Sequence, residues 1–131
     1  MNDADLPHLV IGACMNVHRA LGPGLPRDAY EECLAVELRE MEFDFKRNVP
    51  LQFDYRSRRI QTTARLDFVI GASLLLLVRS QEEIPKREQQ ELESKVKLCR
   101  LRAGLIVNFN VSSLRKGIHQ ITVKRREPPQ T

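Results

Sequence analysis

The sequence predicts an α/β protein: a single domain with a mixed central sheet flanked by helices, in the order α-α-β-β-β-α-β-β. Three observations carry this. Two segments before residue 42 repeat their apolar residues at helical spacing, the following stretch alternates apolar and polar positions, and Leu74–Val78 is apolar throughout. A strand without a polar face must be covered on both sides, as happens when helices lie on the two faces of a sheet.

Each element has its own signal. In the segment Leu6 to Leu21, Leu9, Val10, Ala13, Cys14, Val17 and Leu21 recur at helical spacing, and Gly22-Pro23-Gly24 breaks the run. A second helix starts at Pro26, a residue suited to a first helical turn, and reaches about Met41 with Tyr30, Leu34, Leu38 and Met41 as its buried stripe. Both helices are amphipathic and must pack on each other or on a sheet. Val49, Leu51, Phe53 and Tyr55 then alternate with polar residues, Tyr55 to Arg59 makes a basic turn, and Ile60 to Ile70 returns as a strand. Gly71-Ala72 turns the chain into Leu74–Val78, the central strand. Pro85 opens a charged third helix, Lys86 to about Arg100, with Leu92, Val96 and Cys99 on its apolar side. Leu105–Phe109 reads as a buried strand and Ile118–Lys124 as an alternating one at a candidate sheet edge. The domain covers residues 1–124, and residues 125–131, with paired prolines, form a flexible basic tail.

Composition narrows the function classes. The chain has 131 residues, 42% hydrophobic and 29% charged, which suits one ordered core rather than disorder. Seven aromatics and no Trp leave that core to Leu, Val, Ile and Ala. A net charge of +4 and a pI near 9.2 permit nucleic-acid contact without requiring it. Cys14, Cys33 and Cys99 lack the close pairing of a zinc site and read as small buried hydrophobes in a reducing compartment. Asp3 and Asp5 stand where a signal peptide would be basic and apolar, and no apolar run is long enough to span a bilayer. The expectation is a cytoplasmic protein with no membrane association and no cofactor.

From Gly22-Pro23-Gly24-Leu25 and Tyr30-Glu31-Glu32 onward, the chain resembles the small bacterial GxxExxY proteins of the PD-(D/E)XK nuclease superfamily. The likeness extends over Ile11-Gly12-Ala13, Val17 to Gly22, Val49-Pro50-Leu51, Arg65-Leu66-Asp67, Glu82-Glu83-Ile84 and Gly104 to Phe109. It implies a PD-(D/E)XK nuclease-like domain. It also implies a divalent cation held by an Asp ending one strand and by an acid two residues before a Lys on the next, with a Glu from the second helix. Oxygen ligands suit such an ion, which would orient a water and neutralise charge on a scissile phosphate.

The resemblance fails at the residues that matter. The signature Glu falls on Arg27, although Gly24 and Tyr30 keep the motif's ends. Asp67 keeps the metal-binding Asp, but the next acid falls on Leu77 and the Lys on Arg79. In the third helix the implied Gln and Tyr are Glu91 and Lys95. One carboxylate of three ligands remains, and Arg79, effectively never deprotonated, cannot serve as a base. Asp28 lies about 100° around the helix from Arg27, and Glu31, one turn on, is placed to pair with it. The expectation is a pseudonuclease with no metal and no catalytic residue, in which Arg27 and Arg79 replace the cation in an ion network with Asp67 and Glu91.

Three functions follow. A dead nuclease fold serves as a self-associating scaffold, a homo-oligomer that protects the Ile118–Lys124 edge. Alternatively it binds nucleic acid without cleaving it, through Arg56, Arg58 and Arg59 and through Lys124, Arg125 and Arg126, with Arg27, Arg79 and Lys95 adding charge in the cleft. No aromatic is interleaved with these clusters, so base stacking is not indicated. A nuclease with a rearranged site ranks third. A Ser or Cys hydrolase ranks lower still, since Cys14, Cys33 and Cys99 fall on apolar helix faces and none forms a recognisable arrangement with His8, His18 or His119. No small-molecule substrate is indicated.

Overall fold

In the computed structural model, residues 5–123 are described. They form α1 (Leu6–Leu21), α2 (Arg27–Glu40), β1 (Phe45–Tyr55), β2 (Arg58–Ile70), β3 (Leu74–Arg79), α3 (Lys86–Leu98), β4 (Ala103–Asn108) and β5 (Ile118–Thr122), with a 3-10 turn at Leu114–Gly117. This is the expected α/β order.

Local chemistry sets the boundaries. Gly22 takes φ +71°, a conformation that favours glycine, and its amide closes α1 on the His18 carbonyl at 2.8 Å. Pro26 is the N-cap of α2 rather than a member of its first turn: its ψ of 151° is extended, and the helix begins at Arg27. α3 stops at Leu98, short of the expected Arg100, because Arg100 turns left-handed (φ +56°) and Leu101 N–H closes on the Val96 carbonyl at 3.0 Å. β1 starts at Phe45, before the alternation from Val49 suggested. Arg47 there is half-buried, its guanidinium lying 5.2 Å from the Phe68 ring centroid and bonded to Glu32, so a charged residue occupies an inward position. β4 likewise begins at Ala103 and β5 ends at Thr122, while Lys124 to Arg126 lie outside the described residues.

The five strands lie in the order β1-β2-β3-β4-β5. Only β3 and β4 are parallel, joined through α3; the other pairs are antiparallel. β3 is therefore central, and Leu74 to Val78 are all buried, as a strand covered on both faces requires. Its side chains divide between two clusters. Leu74, Leu76 and Val78 join α1 and α2 through Val10, Val17, Tyr30 and Leu34. Leu75 and Leu77 join Leu92 and Val96 of α3. Gly104 lets α3 approach: a Cβ there would lie 2.8 Å from Leu92 Cδ1 and from Val96 Cγ2. On the other face, Tyr30 stacks on Phe109 at 4.5 Å, and its hydroxyl donates to the Gly22 carbonyl and accepts from Leu25 N–H. That side chain ties the Gly22–Leu25 loop to the core. The carboxyl ends of β3 and β4 lie together, with Phe109 N–H on the Arg79 carbonyl at 2.9 Å, and the candidate site forms at this end.

Candidate functional site

Antiparallel pairing aligns Phe68 with Leu76, so Asp67 comes beside the end of β3. Its Oδ2 accepts the Val78 backbone N–H at 3.0 Å and Arg79 Nη1 at 2.9 Å. Arg79 Nε donates to Glu88 Oε1 at 2.7 Å, and Nη1 also reaches the Val78 carbonyl. Glu91 Oε2 stands 3.9 Å from Nη2, an outer partner. Gln81 Nε2 donates to the second Glu88 oxygen at 2.7 Å. One guanidinium thus bridges a strand carboxylate and a helix carboxylate. The side chains of Arg79, Asp67 and Glu88 are only 13%, 16% and 15% exposed, so solvent screens the group little.

Charge follows this geometry. Burial alone would lower the Arg79 pKa, but the Glu88 and Asp67 carboxylates more than offset it and the net shift is upward. Burial alone would raise that of Glu88, but hydrogen bonds from Arg79 and Gln81 hold it below the ordinary carboxylate range. Lys95 is buried on the same helix face, with Nζ 3.2 Å from Glu91 Oε1 and donating to the Arg65 carbonyl. It closes the network instead of offering a free cation.

Arg27 does not bond to Asp67. It pairs with Glu31 one turn on, at 3.0 Å, and is 54% exposed. Arg27, Glu31, Arg47, Asn48 and Asp67 nevertheless line one cavity of about 400 Å³. Burial, and then the Asp67 charge, push Glu31 above the ordinary carboxylate range. The expected network therefore holds for Arg79 and, loosely, for Glu91, and is corrected for Arg27. The Arg27–Glu31 pair is the one expected from their spacing, whereas Glu88 and Gln81 were missed. Spacing offered a signal, since Glu88, Glu91 and Lys95 recur at three and four residues along one helix face.

The first basic cluster sits at the β1–β2 hairpin tip, where Arg56 and Ser57 both adopt positive φ. Arg59 is paired with Asp54 at 3.2 Å, and the Arg56 guanidinium lies 5.7 Å from the exposed Tyr55 ring. Arg58 is exposed beside them. The second cluster, Lys124 to Arg126, lies outside the described residues.

Do these residues fit a divalent cation? Asp67 is the sole acid at the assigned strand positions, and its Oδ2 already accepts two N–H groups. Leu77 is fully buried in the cluster under α3 and presents no oxygen. The charge nearest Asp67 is a guanidinium, which repels a dication. Among the described residues no group of three or more His, Cys, Asp or Glu is arranged to hold a metal. The donor set does not fit a divalent cation.

A family model described as the PD-(D/E)XK nuclease superfamily matches residues 4–121. The chain belongs to the PD-(D/E)XK nuclease superfamily. The match spans all five strands and three helices of this nuclease-superfamily domain apart from the final strand residue. No curated protein and no solved structure matches it. Among the described residues, no helix is long and apolar enough to cross a membrane.

Proposed function

We propose that this nuclease-superfamily domain is a pseudonuclease of the GxxExxY type, a non-catalytic protein kept for its shape and acting as a self-associating structural or scaffold module. The observation that carries the reading is the Arg79–Asp67 contact at 2.9 Å, closed on its far side by Glu88 at 2.7 Å. A permanent cation carried by the chain stands against the one family carboxylate that remains. It supplies the counter-charge that Mg²⁺ would otherwise bring, but offers no open coordination position and no acidic water. Arg79 then links β3 to α3, a structural task.

Self-association is supported by the contrast between the sheet's two edges. Edge strand β1 carries Pro50, exposed Lys46 and a left-handed Asn48, all features that discourage pairing with another strand. Edge strand β5 carries no charge and no proline. The test is the solution mass by light scattering with simultaneous absorbance at 260 and 280 nm, together with digestion of DNA and RNA in Mg²⁺ or Mn²⁺. A defined nucleic-acid-free assembly much heavier than 15.1 kDa, without chelator-sensitive cleavage, is expected. Chelator-sensitive cleavage that disappears in Asp67→Ala would refute inactivity, and a monomer would refute the scaffold.

The second reading, nucleic-acid binding without cleavage, rests on the hairpin cluster Arg56, Arg58 and Arg59. Ion pairing of Arg59 weakens it, whereas the exposed Tyr55 beside Arg56 adds a stacking surface. Salt-sensitive absorbance at 260 nm in the purified protein would favour it.

A further inference from the structure

The loop after β4 is anchored far more firmly than a surface connection requires. His18 Nε2 lies 2.8 Å from the Val111 carbonyl; because a carbonyl only accepts, this nitrogen carries the proton. Leu114 is buried in the core. Gly117 packs so tightly that a Cβ there would lie 2.2 Å from the Asn108 carbonyl oxygen. Between these anchors the loop presents exposed Ser112, Ser113 and Arg115 across from Arg19 in the last turn of α1. Together they line a cavity of about 320 Å³.

Six cations elsewhere in the domain have acidic partners. Arg27, Arg47, Arg59, Arg79, Lys95 and Lys97 all meet carboxylates. No acid lines this cavity. Among the described residues, Arg115 and neighbouring Lys116 form no ion pair, Ser112 and Ser113 hydroxyls make no hydrogen bond, and Arg19 bonds only Asn16 at 3.2 Å. Two guanidinium groups and two hydroxyls therefore line one cavity with no carboxylate among them, on the end of α1 and on a loop already anchored, so little backbone freedom is lost on binding. The position also matches a general tendency of open α/β sheets, in which ligands settle beyond the carboxyl ends of parallel strands.

We propose that Arg19, Arg115, Ser112 and Ser113 bind a phosphate group. The guanidinium forks and hydroxyls match its charge and its acceptor oxygens. The group is that of free phosphate or of a nucleic-acid backbone, which the two probes below distinguish, and the site does not depend on the state of Asp67.

The experiment uses the full chain at low salt. Inorganic phosphate is titrated by calorimetry, and a fluorescein-labelled single-stranded oligonucleotide by anisotropy. The probes are repeated on Arg19→Glu/Arg115→Glu, on Ser112→Ala/Ser113→Ala, and on the hairpin control Arg56→Glu/Arg58→Glu/Arg59→Glu. At least tenfold weaker binding in the arginine variant, a smaller loss in the serine variant and little change in the control support the site. For the single-stranded oligonucleotide, the salt slope should also fall by about 1.4, roughly 0.7 for each lost phosphate contact. Phosphate binding alone identifies free phosphate as the source; binding of the oligonucleotide identifies the backbone. No binding of either probe, or equal binding by the arginine variant and wild type, overturns the proposal. All four side chains are exposed, and the variants should keep the wild-type circular dichroism spectrum.

Discussion

Replacing Arg79 with Met separates a buried structural cation from an ornamental surface one. The substitution keeps much of the side-chain volume and removes the charge from between Asp67 and Glu88. Each carboxylate loses one charge-assisted hydrogen bond, worth about 1.5–3 kcal/mol when the partner is left in place. Compensation is partial: Val78 N–H still serves Asp67, and Gln81 still serves Glu88. Burial acts the other way, since both carboxylates are at most 16% exposed and stay largely desolvated without a counter-ion. The expected cost is about 3 kcal/mol, within the range for breaking a buried pair, and for a chain of this size it lowers Tm by roughly 10 °C. Lys97→Met is the matched control, because the Lys97–Glu93 pair is more than half exposed on both sides and should contribute less than about 1 kcal/mol. Urea unfolding followed by circular dichroism measures both. A second arm uses Mn²⁺: if Arg79 stands in for a cation, millimolar Mn²⁺ should raise the Tm of Arg79→Met and leave wild type unchanged. An Arg79→Met protein within about 1 kcal/mol of wild type, or indistinguishable from the Lys97→Met control, would refute the reasoning.

Further outcomes follow from the same contacts. Asp67→Ala should lose about 2 kcal/mol, as Val78 N–H and Arg79 each lose an acceptor, and unchanged thermal stability would count against a structural role. Gly104→Ala should destabilise by about 1–3 kcal/mol, because the added methyl meets Leu92 and Val96 at 2.8 Å; a neutral result in urea would mean α3 shifts freely. Tyr30→Phe should cost about 1–2 kcal/mol by leaving the Gly22 carbonyl and Leu25 N–H without their shared hydroxyl, and hydrogen exchange at Leu25 should rise. Stability should also follow pH with a definite sign. Glu88 has a lowered folded pKa, so its contribution is present above the unfolded value of about 4.3 and is lost as pH falls through the folded one. Glu31, raised by burial, opposes it and gains stability as it protonates, so Tm should hold or rise slightly from pH 7 to about 5 and drop below about 4. Glu88→Gln should flatten that acid limb, and an unchanged limb would assign the loss to other groups.

The sequence by itself determined much of the architecture. Helical spacing in α1 and α2, the glycine break at Gly22, and a strand apolar at every position leave few arrangements that bury those residues, and burial of apolar area dominates folding. The resemblance to the nuclease family, rather than alternation, singled out Asp67, Leu77 and Arg79, and the antiparallel register then brings Asp67 beside the end of β3. Where charged residues occupied structural positions, pattern reading stopped short. Arg47 hid the start of β1, since a guanidinium over Phe68 and against Glu32 is tolerated inward only in that company. The residues beside Asp67 were decided by tertiary structure alone. Arg27 and Arg79 are equivalent in sequence as cations near an acid, yet Arg79 bonds Asp67 while Arg27 turns to Glu31. Which carboxylate a long side chain reaches depends on the docking of α2 and α3 against the sheet. The His18–Val111 contact, which joins residues 93 apart, was beyond sequence spacing for the same reason. Local pattern specifies elements, whereas a site is assembled from side chains that only packing brings together.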